Sequence, residues 1–344
     1  MVKVYAGLDA GSSSCHLVGT DVHGEVMHDK KFMTSERNLV SAFESLPGKV
    51  HVHLEASGMA GWIQRVLRER VRHVVRVLVS HPKSNAWIAK DPLKSDRVDA
   101  YKLAELLRTG HPREVYYAQE DHRTFFKQVV QHYDDVTDQE TKIKLKIKAR
   151  LRAQGVLRKG NAVYTREGRE EALAKVVSPA VREAIGQLYE ILDHTLEAQK
   201  KALHLMRREA RRYPEIARFR EVPGVGVILA CRFSAYIQTP HRFSSKRKLW
   251  RYCRLGVTNR SSDGKPLGRK ALDRNGNGRL KDFSRKAFNG ASRTLTDNAF
   301  SRAYRASLSR THDKTHARLS TQRKIVATLL AMWKGGTHYK DDTG

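Results

Sequence analysis

With 344 residues, 40% of them hydrophobic and four of them tryptophan, the chain holds enough apolar material for two or three folded domains, which argues against a disordered polymer. Its 65 Lys and Arg against 36 Asp and Glu give a net charge of +29 and point to a polyanionic partner. No apolar run approaches the roughly 20 residues of a membrane span. Three scattered cysteines, Cys15, Cys231 and Cys253, argue against disulfides and a zinc module. A reducing, cytoplasmic setting is the expectation.

The first 80 residues alternate in strand fashion. "KVYAGLDAG" reads as a buried strand rather than a signal peptide, and "CHLVGTDVHGEVMHDKKF" as a hairpin turning near His23-Gly24. "VHVHLEAS" reads as a third strand, "GWIQRVLRERV" as a helix and "HVVRVLVS" as a further strand, which together predict an α/β domain with a mixed sheet. "KSDRVDAYKLAELL" begins a helix, with Ser95 or Asp96 as its cap and Thr109-Gly110 as its stop. Residues 120–212 read as almost wholly helical, broken around "LRKGNAVYTREGREE". Ser178-Pro179 is a cap and first-turn pair. Val181, Ile185, Leu188, Leu192, Leu196, Leu203 and Met206 then form a seam that suits either an intrachain helical bundle or a dimerisation arm. Tyr213-Pro214 marks a boundary, so that 1–115, 116–214 and 215–335 are three regions followed by a polar tail, 336–344.

Charge is uneven along the chain. Residues 215–344 carry 28 basic against 9 acidic residues, and residues 1–115 carry 17 against 13. The polyanion is therefore expected mainly at the C-terminal region, with nucleic acid favoured over an anionic membrane because no basic helix with a large apolar face stands out. That region opens with "VPGVG", where Gly224 and Gly226 resemble a helix-hairpin-helix turn that offers backbone N–H groups to a phosphate. A glycine-rich basic stretch, "RYCRLGVTNRSSDGKPLGRKALDRNGNGRLKDF", follows and is too long for an idle connection.

Two aspartates three residues apart, Asp96 and Asp99, share one face of a helix start and repel each other. Salt bridges from Lys94, Arg97 or Lys102 would ease that repulsion, and a divalent cation held by carboxylate oxygens would ease it more. Asp9 and Glu55 each end a strand and are followed by small residues, and Gly11 and Gly58 leave room for a phosphodiester. Singly, each of these carboxylates is more simply a capping group. Four of them from two strand ends and one helix face match what paired metal ions require.

The order "GLDAG … HLEASG … KSDRVDA" resembles the RuvC-like (RNase H-like) DEDD domain of a transposase and invertase family of insertion sequences. "VPGVG", "RLGVTNRSSDGK" and "RNGNGRLKD" are similar to that family's C-terminal transposase domain, although Asn259 stands where the family has a proline. The resemblance implies a RuvC-like N-terminal domain, a central helical coiled coil and a mainly helical C-terminal domain. It implies a Mg²⁺ site (Mn²⁺ as a substitute) on Asp9, Glu55, Asp96 and Asp99. It further implies Ser262 as nucleophile, with Ser261 as the alternative, and a covalent serine–DNA intermediate. Its expected partners are element-end and target DNA, a structured non-coding guide RNA and further copies of the chain, as dimer or tetramer. The acting protein would be associated with the nucleoid. Lys94, Arg97, Arg260, Lys265, Arg269 and Arg274 are the basic residues expected on the nucleic acid.

Three other readings compete. A junction-resolving nuclease would use the same carboxylates with water as nucleophile. "GLDAGSSS" also looks like the first phosphate loop of sugar-kinase and actin-type ATPases, but "DRNGNG" is too basic and follows no strand. A catalytically idle binder would leave the carboxylates without purpose.

Overall fold

The structure is a computed structural model that describes residues 3–82, 95–116, 122–157, 159–258, 261–262, 265–266, 271–294 and 296–341. It divides into two compact units, Met1–Thr124 and Phe125–Gly344.

The first unit is a mixed α/β layer structure. Strands β1 (Lys3–Ala10), β2 (Ser14–Thr20) and β3 (Val26–Met33) are followed by helix α1 (Glu36–Glu44), β4 (Lys49–Glu55), α2 (Ala60–Arg70), β5 (Val74–Ser80) and α3 (Asp96–Arg108). The sheet order is β3-β2-β1-β4-β5, with β1, β2 and β3 antiparallel in sequence and β1, β4 and β5 parallel. The expected hairpin turns where Gly24 takes a φ of +93°, a conformation glycine adopts at no steric cost. Val4, Ala6 and Leu8 of β1 and Val50, Val52 and Leu54 of β4 face one side, against Leu39 and Phe43 of α1 and Ile63 and Leu67 of α2. Each large side chain so buried contributes about 1.5–3 kcal/mol.

Alternation turns Tyr5, Gly7 and Asp9 to the opposite side, where α3 packs across β1, β2 and β4. The approach is close because of glycine and alanine. A Cβ at Gly7 would lie 1.9 Å from the Ala100 carbonyl oxygen and 2.5 Å from the Ala104 amide nitrogen. His53, level with Gly7 on β4, is fully buried; its Nδ1 donates to the Leu103 carbonyl at 2.8 Å, so its Nε2 accepts from the Ser80 hydroxyl at 2.8 Å. His53 therefore ties α3 to two strands, and burial holds its proton affinity below that of an ordinary histidine. His51, two residues earlier, stacks on Tyr5 at 6.1 Å. Gly7→Ala must push α3 off the sheet, because both atoms it meets are backbone. A loss of about 1–3 kcal/mol is expected in denaturant unfolding, and an unchanged midpoint would mean that the helix is not held there.

The second unit is helical. It comprises α4 (His122–Ala153), α5 (Arg166–Ala174), α6 (Pro179–Ala210), α7 (Pro214–Phe219), α8 (Val227–Ile237), α9 (Lys246–Tyr252), α10 (Gly278–Arg293), α11 (Ala299–Thr311) and α12 (Lys314–Gly335). Among the described residues, four two-residue strands lie between α9 and α10. Ser178 caps α6 through the Val181 amide with Pro179 in the first turn, as the sequence indicates. The α6 seam is filled from its own chain. Ile185 and Leu192 pack with Ile147 and Leu151 of α4, while Met206 joins a second core around Phe219, Phe233, Phe283 and Trp333. That second core runs straight through the boundary expected at Tyr213-Pro214: Pro214 opens α7, but Tyr213 is buried with its ring 4.5 Å from Phe126. The middle region from Phe125 on thus lies within the second unit, with a core of its own around Ile147, Ile185 and Leu192 and a share, through Met206, in the larger one. Asp341 is tied down as well, accepting from the Ala299 amide at 2.8 Å and from Arg302 at 2.9 Å.

Candidate active site

Parallel pairing sets Leu8 beside Leu54, so the next residues, Asp9 of β1 and Glu55 of β4, leave the same edge of the sheet side by side. Helix α3 brings Asp96 and Asp99 in its first turn. Its cap is Ser95, whose hydroxyl accepts from the Val98 amide, so neither aspartate is needed for capping. Ala100 and Ala104 against Gly7 hold that first turn over β1. Asp9 is half-buried, and its carboxyl is pushed up by burial first and then by the charges of Asp96, Asp99 and Glu55.

One neighbour offsets this. Lys31 of β3 donates to Asp96 at 2.8 Å and holds that carboxyl below its ordinary range. The salt-bridge relief expected from Lys94, Arg97 or Lys102 therefore comes, at Asp96, from Lys31, sixty-five residues away in sequence. Arg97 pairs instead with Asp29, which also contacts His16 Nε2 at 2.7 Å. Lys94 lies outside the described residues.

Asp99 Oδ1 is buried without a hydrogen-bond partner. Among the described residues no three His, Cys, Asp or Glu side chains stand close enough to hold a metal ion as placed. The donor set nonetheless suits a hard cation. It is all oxygen, it comes from three elements, and it includes a buried oxygen with no partner. A Cβ at Gly58 would meet open space, whereas one at Gly11 would stand 2.7 Å from the Ser14 carbonyl oxygen, so the turn that Gly11 makes accounts for it.

The serine stretch rises from a fixed base. Strand β6 (Val257–Thr258) pairs with β9 (Ala271–Leu272), and β7 (Ser261–Ser262) pairs with β8 (Lys265–Pro266), with Ser262 opposite Lys265. Below them the Asp273 amide donates to Gly256 at 2.8 Å, the Asn277 amide to Tyr252 at 2.7 Å and Arg254 Nε to Gly276 at 2.8 Å. Asn259, Arg260, Asp263, Gly264 and Arg269 lie outside the described residues, and for Ser261, Ser262 and Lys265 only the backbone is described. Arg274 is exposed at the base.

The two glycines expected on a phosphate have separate fates. Gly224, at φ +81°, rests on α10; a Cβ there would stand 2.2 Å from the Ala287 carbonyl oxygen, so packing accounts for it. Gly226 precedes α8, exposed and with open space around it.

Gly7, His16, Asp29, Lys31 and His53 are the residues that sequence reasoning left unassigned. The signal for His16 and Lys31 was there: with a turn at His23-Gly24, both fall on the side of the sheet that Asp9 occupies.

Residues 6–154, from β1 to the end of α4, match a family model described as a transposase, of the DEDD type of IS110 elements. Residues 216–304, from α7 into α11, match the model described as "Transposase IS116/IS110/IS902 family". A search of curated proteins returned no match. No described helix is long and apolar enough to cross a membrane.

Proposed function

The chain belongs to the IS110-type transposases, and from that premise we propose that it breaks and rejoins DNA at the ends of an insertion sequence through a serine–DNA covalent intermediate, directed by a structured non-coding RNA. The observation that supports this reading is geometric: Asp9 and Glu55 leave one edge of the sheet side by side, and α3, packed across β1, brings Asp96 and Asp99 in its first turn. The sheet order, an antiparallel hairpin continued by parallel strands with α3 across one face, supports assigning the first unit to the RuvC-like, RNase H-like class.

In this reading the four carboxylates hold Mg²⁺, with Mn²⁺ as substitute. The ion supplies charge neutralisation at a phosphodiester. The chain's own residues do the rest. Ser95 and the Gly7–Ala100 contact fix the α3 carboxylates over β1, and His53 locks the helix to the sheet. Ser262, with Ser261 as alternative, attacks phosphorus; a serine–phosphorus bond forms as the bridging P–O bond breaks, and the serine's proton passes, by way of solvent, to the departing DNA oxygen, which leaves as a hydroxyl. Arg274, with Arg260, Lys265 and Arg269, neutralises phosphate charge around the hairpin. The excess of 28 basic over 9 acidic residues in 215–344 suits two polyanions, DNA and RNA, acting on an assembled dimer or tetramer at the nucleoid.

A covalent-adduct assay tests the reading. Protein is mixed with element-end DNA, the element's non-coding RNA and Mg²⁺. Wild type is expected to give a protein–DNA adduct that disappears in Ser262→Ala and in Asp9→Ala. Cleavage that needs Asp9 but leaves no adduct and ignores both Ser261→Ala and Ser262→Ala would make the protein a nuclease that uses water.

A further inference from the structure

The hairpin beside the carboxylates carries a cation of its own. Lys31 stands opposite His16 in the β2–β3 register, and His16 stands opposite Asp9 in the β1–β2 register, so one rung across three strands runs from an ammonium to the half-buried aspartate. Lys31 Nζ is 2.8 Å from Asp96 Oδ2, with 57% and 51% of the two side chains exposed. Its neighbours are otherwise engaged. Asp29 takes both His16 and Arg97, and that chain of contacts fixes the residue next to Asp96 to the hairpin. The anchor is buried at its His16 end, and the Lys31 contact lies in solvent.

We propose that Lys31 is a built-in competitor of the divalent cation: it neutralises Asp96 in the unloaded protein and must leave that carboxylate before the cation can use it. The inference rests on the reading that the four carboxylates bind such a cation. A single exposed ion pair is weak, and an ammonium on a four-carbon stem swings away without moving the backbone. A cation that draws several carboxylates together outcompetes it, yet the lysine raises the concentration at which the site fills. Lys31 is thus a positioning residue that sets the metal requirement.

The test is direct Mn²⁺ binding to the full-length protein without nucleic acid, read from the EPR signal of free Mn²⁺. Lys31→Gln is expected to lower the Kd by roughly twofold to fivefold, the range of an exposed ion pair. In an Asp96→Asn background the same substitution is expected to change nothing. Lys30→Gln, which removes an equal charge one residue away, is expected to leave the Kd near wild type. An unchanged or weaker Kd in Lys31→Gln, or equal tightening by Lys30→Gln, overturns the inference while Asp9→Asn still weakens binding. If Asp9→Asn and Asp96→Asn also leave Mn²⁺ uptake unaltered, the carboxylate–cation reading falls with it.

Discussion

Asp99→Asn is expected to cut DNA strand breakage by about a hundredfold to a thousandfold, the cost of losing one element of charge stabilisation at a reacting phosphate, because it weakens the hold on the cation that would supply it, while DNA and RNA affinity stay close to wild type. The asparagine keeps the shape of the side chain and removes only its charge. Ser95, not Asp99, satisfies the free backbone N–H groups of α3, so the helix start loses no cap. Removing one of several mutually repelling carboxylates relieves Asp9, whose carboxyl the charge of Asp99 pushes up, so folding stability is expected to hold or rise. Cleavage rate and melting temperature, measured together, separate the two roles open to this residue. A variant that melts early and binds nucleic acid poorly would make Asp99 a structural carboxylate and remove it from the chemistry.

Asp134→Asn is expected to destabilise the second unit by about 3–5 kcal/mol, because it strands a buried guanidinium. Asp134 is fully buried in α4. It takes Arg232 Nη2 at 2.6 Å and the Tyr236 hydroxyl at 2.8 Å, and Arg279 Nε approaches to 3.7 Å. Arg279 is itself forked onto Asp138 at 2.6 and 3.0 Å, a contact that raises its proton affinity further. The network thus joins α4, α8 and the first turn of α10. Denaturant unfolding followed by circular dichroism would show the loss as an earlier transition of the second unit, with amide protection in β1 unchanged. Replacing the pair together, Asp134→Leu with Arg232→Met, is expected to recover most of it, since no charge is then left unpaired. A single substitution that costs under 1 kcal/mol would show that water reaches Arg232.

Local features of the fold were legible in the sequence and long-range ones were not. Alternation located β1 to β5 and the turn at Gly24, and Ser178-Pro179 fixed the start of α6 to the residue. The placement of Asp9 and Glu55 at strand ends and of Asp96 and Asp99 at a helix start was equally readable, because each is a local statement. What periodicity cannot give is which strand lies beside which, or how near a helix comes. The Lys31–Asp96 pair and the approach of α3 at Gly7 both depend on those facts. Tyr213-Pro214 shows the same limit from the other side. The dipeptide does end a helix, yet the aromatic ring that precedes the proline is an interior residue, and a local stop says nothing about where a core ends. Gly224 was likewise a correct signal of a constrained backbone, read toward a ligand when a neighbouring helix imposes the constraint.

The base of the serine hairpin has one more consequence. Gly256 and Asp273 meet through a single 2.8 Å hydrogen bond, so the chain between them leaves and re-enters the helical unit at the same point. For a segment anchored that way, doubling its length costs only about 0.6 kcal/mol of closure entropy. A change of length between Gly256 and Asp273 is therefore expected to leave the packing of the helices beneath unaltered.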